Sequence, residues 1–284
     1  MKMKEQFSFR VFLSILFFSA LAAQSNATSI YYNDFQSGSV GNEWSSSIIG
    51  TIPVDIVPKP NSVYSGGFLG QFGGNNSATL SLTGLPEGLV TLSFDTYFIR
   101  SWDGSDTTYG PDYFKVSANN GLTLLNDTFS NGNPAGQSYI GNGIKSPEYQ
   151  NSTNTSMTGS LQQYSLGYYF YDGTNGNTTQ AMDSLYHFDF TFYNTLSSLQ
   201  ITFAGIGLQD NFVTGPDGNY IIAPDGKPYL DESWGIDNVQ VDVMPVPEPA
   251  SFWLLLAGGP ALLMLRRKKL CKNEAVFVEI FPKL

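Results

Sequence analysis

The stretch Val90-Thr91-Leu92-Ser93-Phe94-Asp95-Thr96-Tyr97-Phe98 decides the fold. Side chains of an extended chain alternate between two faces, so Val90, Leu92, Phe94, Thr96 and Phe98 share one of them. Tyr186, Phe188, Phe190 and Phe192 repeat the alternation, as do Leu199, Ile201 and Phe203, and Val239, Val241 and Val243. Shorter strands are expected at 78–82, 113–118 and 122–128, and Ile30 to Phe35 reads as a first one. No internal segment carries an amphipathic helical period of useful length. Sheets with one apolar face must stack, which predicts an all-β fold, an antiparallel β-sandwich of jelly-roll type.

Composition agrees with that reading. Charged residues are sparse at 13% and aromatics reach 14%, while Gly, Asn, Ser and Thr crowd the connections between apolar runs. A chain of 284 residues allows one such sandwich with a substantial core. Between Thr28 and Pro245 there are five basic residues against twenty acidic ones, a net of −15. So acidic a body repels phosphate backbones, which argues against nucleic acid and for cations as partners.

The two ends are built differently. Lys2, Lys4 and Arg10 precede an uncharged run from Val11 to Ala23, the arrangement of a signal peptide, with cleavage expected after Ala27. At the other end Val246-Pro247-Glu248-Pro249 leads into an uncharged segment, 250–265, followed by Arg266-Arg267-Lys268-Lys269. Sixteen residues at 1.5 Å each make a helix of about 24 Å, short of the roughly 30 Å of membrane hydrocarbon. A transmembrane helix of that length is a marginal permanent anchor. The basic cluster keeps its own side cytoplasmic and leaves the body outside. The expected organisation is a signal peptide at 1–27, a sandwich at 28–244, a sorting segment at 245–269 and a tail at 270–284. The single cysteine, Cys271, lies in that tail, so the exported body has no disulfide.

The triplet Pro247-Glu248-Pro249, the short apolar helix and the cluster Arg266, Arg267, Lys268 and Lys269, occurring in this order, resemble a PEP-CTERM sorting signal. The resemblance implies a Gram-negative bacterium that makes exopolysaccharide, recognition by an exosortase, an inner-membrane intermediate, and release to the cell surface or extracellular matrix. Members of that family usually end a few residues after the basic cluster, whereas this chain continues from Leu270 to Leu284.

Two clusters carry the chemistry of the body. Ser101-Trp102-Asp103-Gly104-Ser105-Asp106 continues to Gly110-Pro111-Asp112 directly after the strongest strand. Carboxylates separated by glycines suit a hard cation with oxygen ligands such as calcium, and a solvated turn is the alternative reading. The spacing is not that of an EF-hand. Asp231-Glu232-Ser233-Trp234-Gly235-Ile236-Asp237-Asn238 opens the last strand. If the first and last strands pair, Asp34 approaches Asp237; Asp237 and Asn238 point to opposite faces unless a bulge intervenes, and an acidic sheet edge that discourages aggregation is the alternative reading. The candidate metal ligands are thus Asp103, Asp106, Asp112, Asp231 and Asp237. Trp102, Tyr109 and Trp234, aromatic groups beside Asp and Asn, are candidates for stacking on a sugar such as exopolysaccharide, the alternative being that they are core.

These same clusters resemble exported bacterial domains with a lectin-like or galactose-binding-like jelly roll, a resemblance that implies the fold and no defined activity. Catalysis finds little support. His187 is the only histidine, so with no cysteine in the body a thiol nucleophile and a His/Cys zinc site are excluded. His187 and Asp189 share the face opposite the phenylalanines, and no serine sits on a nucleophile elbow. A carboxylate-based polysaccharide hydrolase is the alternative function, and a purely structural coat or biofilm component a third. Asn-x-Ser/Thr sequons and the Pro216-Asp217-Gly218 and Pro224-Asp225-Gly226 repeats read as composition and turn chemistry.

Overall fold

A computed structural model describes residues 26–37, 40–45, 67–119, 121–132, 136–141, 154–171, 179–209, 212, 217–220 and 230–246. The expected signal peptide up to residue 25 and the sorting segment and tail from residue 247 onward lie outside these residues. The chain divides into two units, and the one treated below is Ala27–Met244.

Twelve strands are described: β1 Thr28–Asn33, β2 Leu69–Gly73, β3 Ser77–Thr83, β4 Gly88–Ile99, β5 Tyr113–Ala118, β6 Leu122–Thr128, β7 Gln162–Gln163, β8 Tyr169–Tyr171, β9 Thr179–Ala181, β10 Asp183–Asn194, β11 Ser198–Ile206 and β12 Ser233–Pro245. No helix occurs among the described residues. One sheet runs in the order β1-β12-β4-β10-β7, with β2 also paired to β12; the other runs β3-β11-β5-β6, and β8 and β9 form a separate hairpin. The first and last strands do pair, antiparallel, with Asn33 opposite Val239.

Alternation in the two longest strands is what holds the sheets together. β4 and β10 are antiparallel over their full twelve residues, setting Phe94 opposite Phe188 and Val90 opposite Phe192. Their apolar faces meet Leu199, Ile201 and Phe203 of β11 and Phe114 and Val116 of β5 in one buried cluster. Phe94 and Phe203 make an edge-to-face contact across the two layers, with centroids 4.9 Å apart. Each such ring, fully buried, contributes about 1.5–3 kcal/mol.

The strand β12 departs from strict alternation. Trp234 and Ile236 face the core, and so do Val239, Val241 and Val243, so the parity shifts between 236 and 239. Asn238, at φ +50°, takes up the extra residue. Asp237 and Asn238 therefore both turn to the outer face, as a bulge requires. That outer face is not wholly polar: Phe68, Tyr97, Ile99, Leu166, Tyr168 and Leu185 form a second apolar cluster on it.

The described part of the long 130–160 connection is tied down. Gln137, wholly buried, accepts hydrogen bonds from Ser130 N, Met157 N and Tyr186 Oη and donates to the carbonyls of Tyr139 and Thr158. At Pro216-Asp217-Gly218 the described residues 217–220 form a turn, in which the Asp217 carboxylate accepts from Asn219 N at 3.1 Å. Pro224-Asp225-Gly226 lies outside the described residues.

Candidate functional site

The segment leaving β4 is fixed by its aromatic residue. Trp102 is fully buried, packs at a tilt against Phe98 with centroids 4.5 Å apart, and donates its indole N–H to the carbonyl of Ser233 at 2.8 Å. This bond pins the loop after β4 against the start of β12. Gly104 follows at φ +66°, where a Cβ would lie 2.3 Å from the carbonyl oxygen of Gly136. The carbonyl of Gly104 accepts the Asp112 N–H at 2.9 Å, closing the loop on itself.

Three carboxylates converge as a result. Asp103, Asp112 and Glu232 each bring one oxygen within 4.8 Å of the other two. Asp103 is 4% exposed, and Asp112 and Glu232 are 0% exposed. One oxygen of Asp112 accepts from the Asp103 N–H, and one oxygen of Glu232 accepts from the Gln209 N–H. Of the other four oxygens, three, Asp103 Oδ1, Asp112 Oδ1 and Glu232 Oε1, are buried without a hydrogen-bond partner.

Burial makes the charged form of each acid costly. It pushes Asp112 up to about 8, an effect partly offset by the Asp103 N–H and reinforced by the Asp103 charge. Burial likewise raises Asp103 and Glu232, with the Asp112 charge adding to the shift at Glu232. Asp231 stands beside the trio, also raised by burial, but it is served by the Ser101 hydroxyl at 2.6 Å and by the charge of Arg100. Such a site is neutralised either by protons or by a cation. Its donors are all oxygen, the set that suits a hard divalent ion, and opposite ligands of calcium at 2.3–2.6 Å lie about 5 Å apart.

The five candidate ligands thus separate. Asp103 and Asp112 come together, and Asp231 adjoins them. Asp106 does not join: it is half-buried, and its carboxylate caps the Thr108 and Tyr109 N–H groups, which lowers its own pKa. Asp237 does not join either. It lies further along β12 on the outer face of the sheet, accepting from Tyr97 Oη at 2.9 Å and from Asn238 N at 2.7 Å, and burial pushes it up to about 7. The third member is Glu232, which sequence spacing did not single out because 120 residues separate it from Asp112. The signal was present in its neighbour Trp234, whose ring buries the start of β12 beside Phe72 and Phe114.

Two of the three expected sugar-stacking residues are corrected. Trp102 and Trp234 are both 0% exposed and belong to the core, so neither offers a face to a ligand. Large indoles beside glycine fit this role well, since the absent side chains leave room for them. Tyr109 is 63% exposed and remains available at the surface.

The outer sheet face gathers a second polar group. His187 Nδ1 lies 2.7 Å from Asp95 Oδ1, and Ser93 Oγ lies 3.3 Å from His187 Nε2. These are the members of a hydrolytic triad in the right order. Ser93, however, sits mid-strand in β4, between β12 and β10, where backbone N–H groups belong to the sheet ladders and none is free as an oxyanion hole. Asp189 Oδ2, also 3.3 Å from Nε2, competes for the same nitrogen.

No family model matches the chain and no curated protein matches it. Among solved structures, it is similar to the K3 cleaved adhesin domain of Lys-gingipain from Porphyromonas gingivalis, at 13% identity and a TM-score of 0.32, over 75% of this chain and 99% of that one. It is similar to dimeric latent PorU from the same organism at 12% identity and a TM-score of 0.31, covering 78% of this chain and spanning 14% of PorU. A family 35 carbohydrate-binding module from an environmental isolate aligns at 12% identity and a TM-score of 0.27, over 72% of this chain and 96% of the module. These likenesses are weak, and the all-β architecture stands on strand pairing and the shared core alone.

Proposed function

We propose that this chain is an exported bacterial surface or matrix protein, delivered through a PEP-CTERM signal, whose jelly-roll-type sandwich is a non-catalytic module built around calcium and directed to exopolysaccharide. The observation that carries the reading is the meeting of three buried carboxylate oxygens without hydrogen-bond partners at Asp103, Asp112 and Glu232. A buried acid left charged and unpaired costs several kcal/mol, so an ion at this position turns a liability into a clamp between the β4–β5 loop and β12.

A non-catalytic role is supported by the same burial. A glycosidase needs two carboxyl groups open to the glycosidic bond, and these three are closed off by the core. Exopolysaccharide as ligand is supported by exposed Tyr109, whose loop the cation would hold, and by the resemblance of the two ends to export signals.

The experiment is a thermal melt with chelator and with millimolar calcium, paired with a glycan array. Calcium-dependent stabilisation with calcium-dependent glycan capture is the expected result. No melting shift sinks the calcium module, and release of reducing sugar, lost in Glu232→Gln, favours the hydrolase instead.

A further inference from the structure

We propose that the outer face of the larger sheet holds a second, chemically different metal site, for a first-row transition-metal ion of the zinc type, at His187 Nε2 and Asp189 Oδ2 with Ser93 Oγ alongside. The inference is independent of the calcium reading, because it uses other residues on the other side of the sheet.

Register builds the site. In the β4–β10 ladder His187 stands opposite Asp95, and Asp189 stands opposite Ser93, so the four side chains form a square on one face. Asp95 is the inner corner, with a side chain only 12% exposed, whereas His187 and Asp189 reach 40% and 63%. One Asp95 oxygen meets His187 Nδ1 at 2.7 Å, and the other accepts from Asn238 Nδ2 at 2.7 Å. The bulge at Asn238 aims that amide at Asp95, and Tyr32 Oη, 3.4 Å from Asn238 Oδ1, lies over it.

Nδ1 faces the Asp95 carboxylate, which leaves Nε2 as the nitrogen turned outward to Asp189 Oδ2 and Ser93 Oγ, each 3.3 Å away. Nε2 and the Asp189 carboxylate can each give a lone pair to a cation set between them. Zinc bonds of about 2.0–2.1 Å to nitrogen and 2.0–2.2 Å to oxygen, opened to a tetrahedral angle, separate the two ligand atoms by about 3.3–3.5 Å. The observed spacing already has that value. Asp95 then acts as the outer carboxylate that fixes tautomer and ring orientation in carboxylate–histidine–metal sites.

The donor sets keep the two metals apart: all oxygen at Asp103, Asp112 and Glu232, and nitrogen with oxygen at His187 and Asp189. Few protein ligands and high exposure make the outer site weak and open, with remaining positions left to water.

The test is equilibrium dialysis of the detergent-solubilised full chain against zinc chloride, with calcium in excess and in a Cys271→Ser background. One zinc per chain is expected, and His187→Gln abolishes it. Asp95→Asn weakens it about 10-fold or more, the usual effect of losing an outer-sphere carboxylate. Asp112→Asn leaves it unchanged, and copper(II) in place of zinc shows coupling to one imidazole nitrogen. Melting temperatures of the variants control for folding. Equal uptake by wild type and His187→Gln overturns the proposal, as does affinity indifferent to Asp95→Asn. Absence of uptake also overturns it, because the contacts of His187 with Asp95 and Asp189 are then complete without a metal.

Discussion

Replacing Asp112 by Asn separates a calcium clamp from a merely acidic pocket. The exchange keeps the shape, and the amide oxygen still accepts from the Asp103 N–H, but one negative charge leaves the trio. Without calcium the variant is expected to be at least as stable as wild type. Its Nδ2 replaces a carboxylate oxygen that has no partner, and relieving a buried unsatisfied group is worth about 1–3 kcal/mol. With calcium the order reverses. At a free concentration 100 times its dissociation constant, an ion that binds only the folded state adds about 2.7 kcal/mol. For a unit of this size each kcal/mol raises Tm by about 2–4 °C, so wild type gains about 5–11 °C. The variant, deprived of a charged ligand, gains little. Differential scanning fluorimetry in chelator and in calcium reads both effects. Equal shifts of wild type and Asp112→Asn, or no shift of wild type, would rule out a calcium clamp at Asp112.

Three further outcomes follow from the geometry. Gly104→Ala places a Cβ 2.3 Å from the Gly136 oxygen in a backbone region that itself costs about 1–2 kcal/mol, so urea melts should show a loss larger than that strain. Phe203→Ala removes the ring that joins the two layers and is expected to cost about 3–5 kcal/mol, against a small effect for Thr202→Ala beside it on β11. Asp237 binds a proton more tightly folded than unfolded, because burial raises it to about 7 from an unfolded value near 3.8. Its contribution is therefore complete below about pH 4 and lost as pH rises through about 7. Asp237→Asn should gain on wild type between pH 5 and pH 8 in denaturant melts, and a constant difference between the two proteins contradicts the assignment.

The sandwich core was legible because period-two patterns leave little freedom: with Val90, Leu92 and Phe94 on one face, a slip of one residue would expose all three. The acidic trio was half legible. Asp103 and Asp112 are near in sequence and share one loop, but Glu232 arrives through the Trp102–Ser233 bond, a tertiary contact that no local spacing encodes. Trp102 and Trp234 mislead for the same reason, since an indole among Asp, Ser and Gly reads alike as a sugar platform or as a core plug. Only the packing decides. The bulge at Asn238 was foreseeable as a condition, and the outer network of Asp95, His187 and Asp189 needed the register of β4 against β10 to become visible.

A crystal structure of the protein grown with calcium and measured at long wavelength tests the calcium clamp without an intermediary. The account predicts an anomalous peak between Asp103, Asp112 and Glu232, with oxygens from all three at about 2.3–2.6 Å. Three carboxyl groups holding each other through shared protons, with no peak between them, would contradict it.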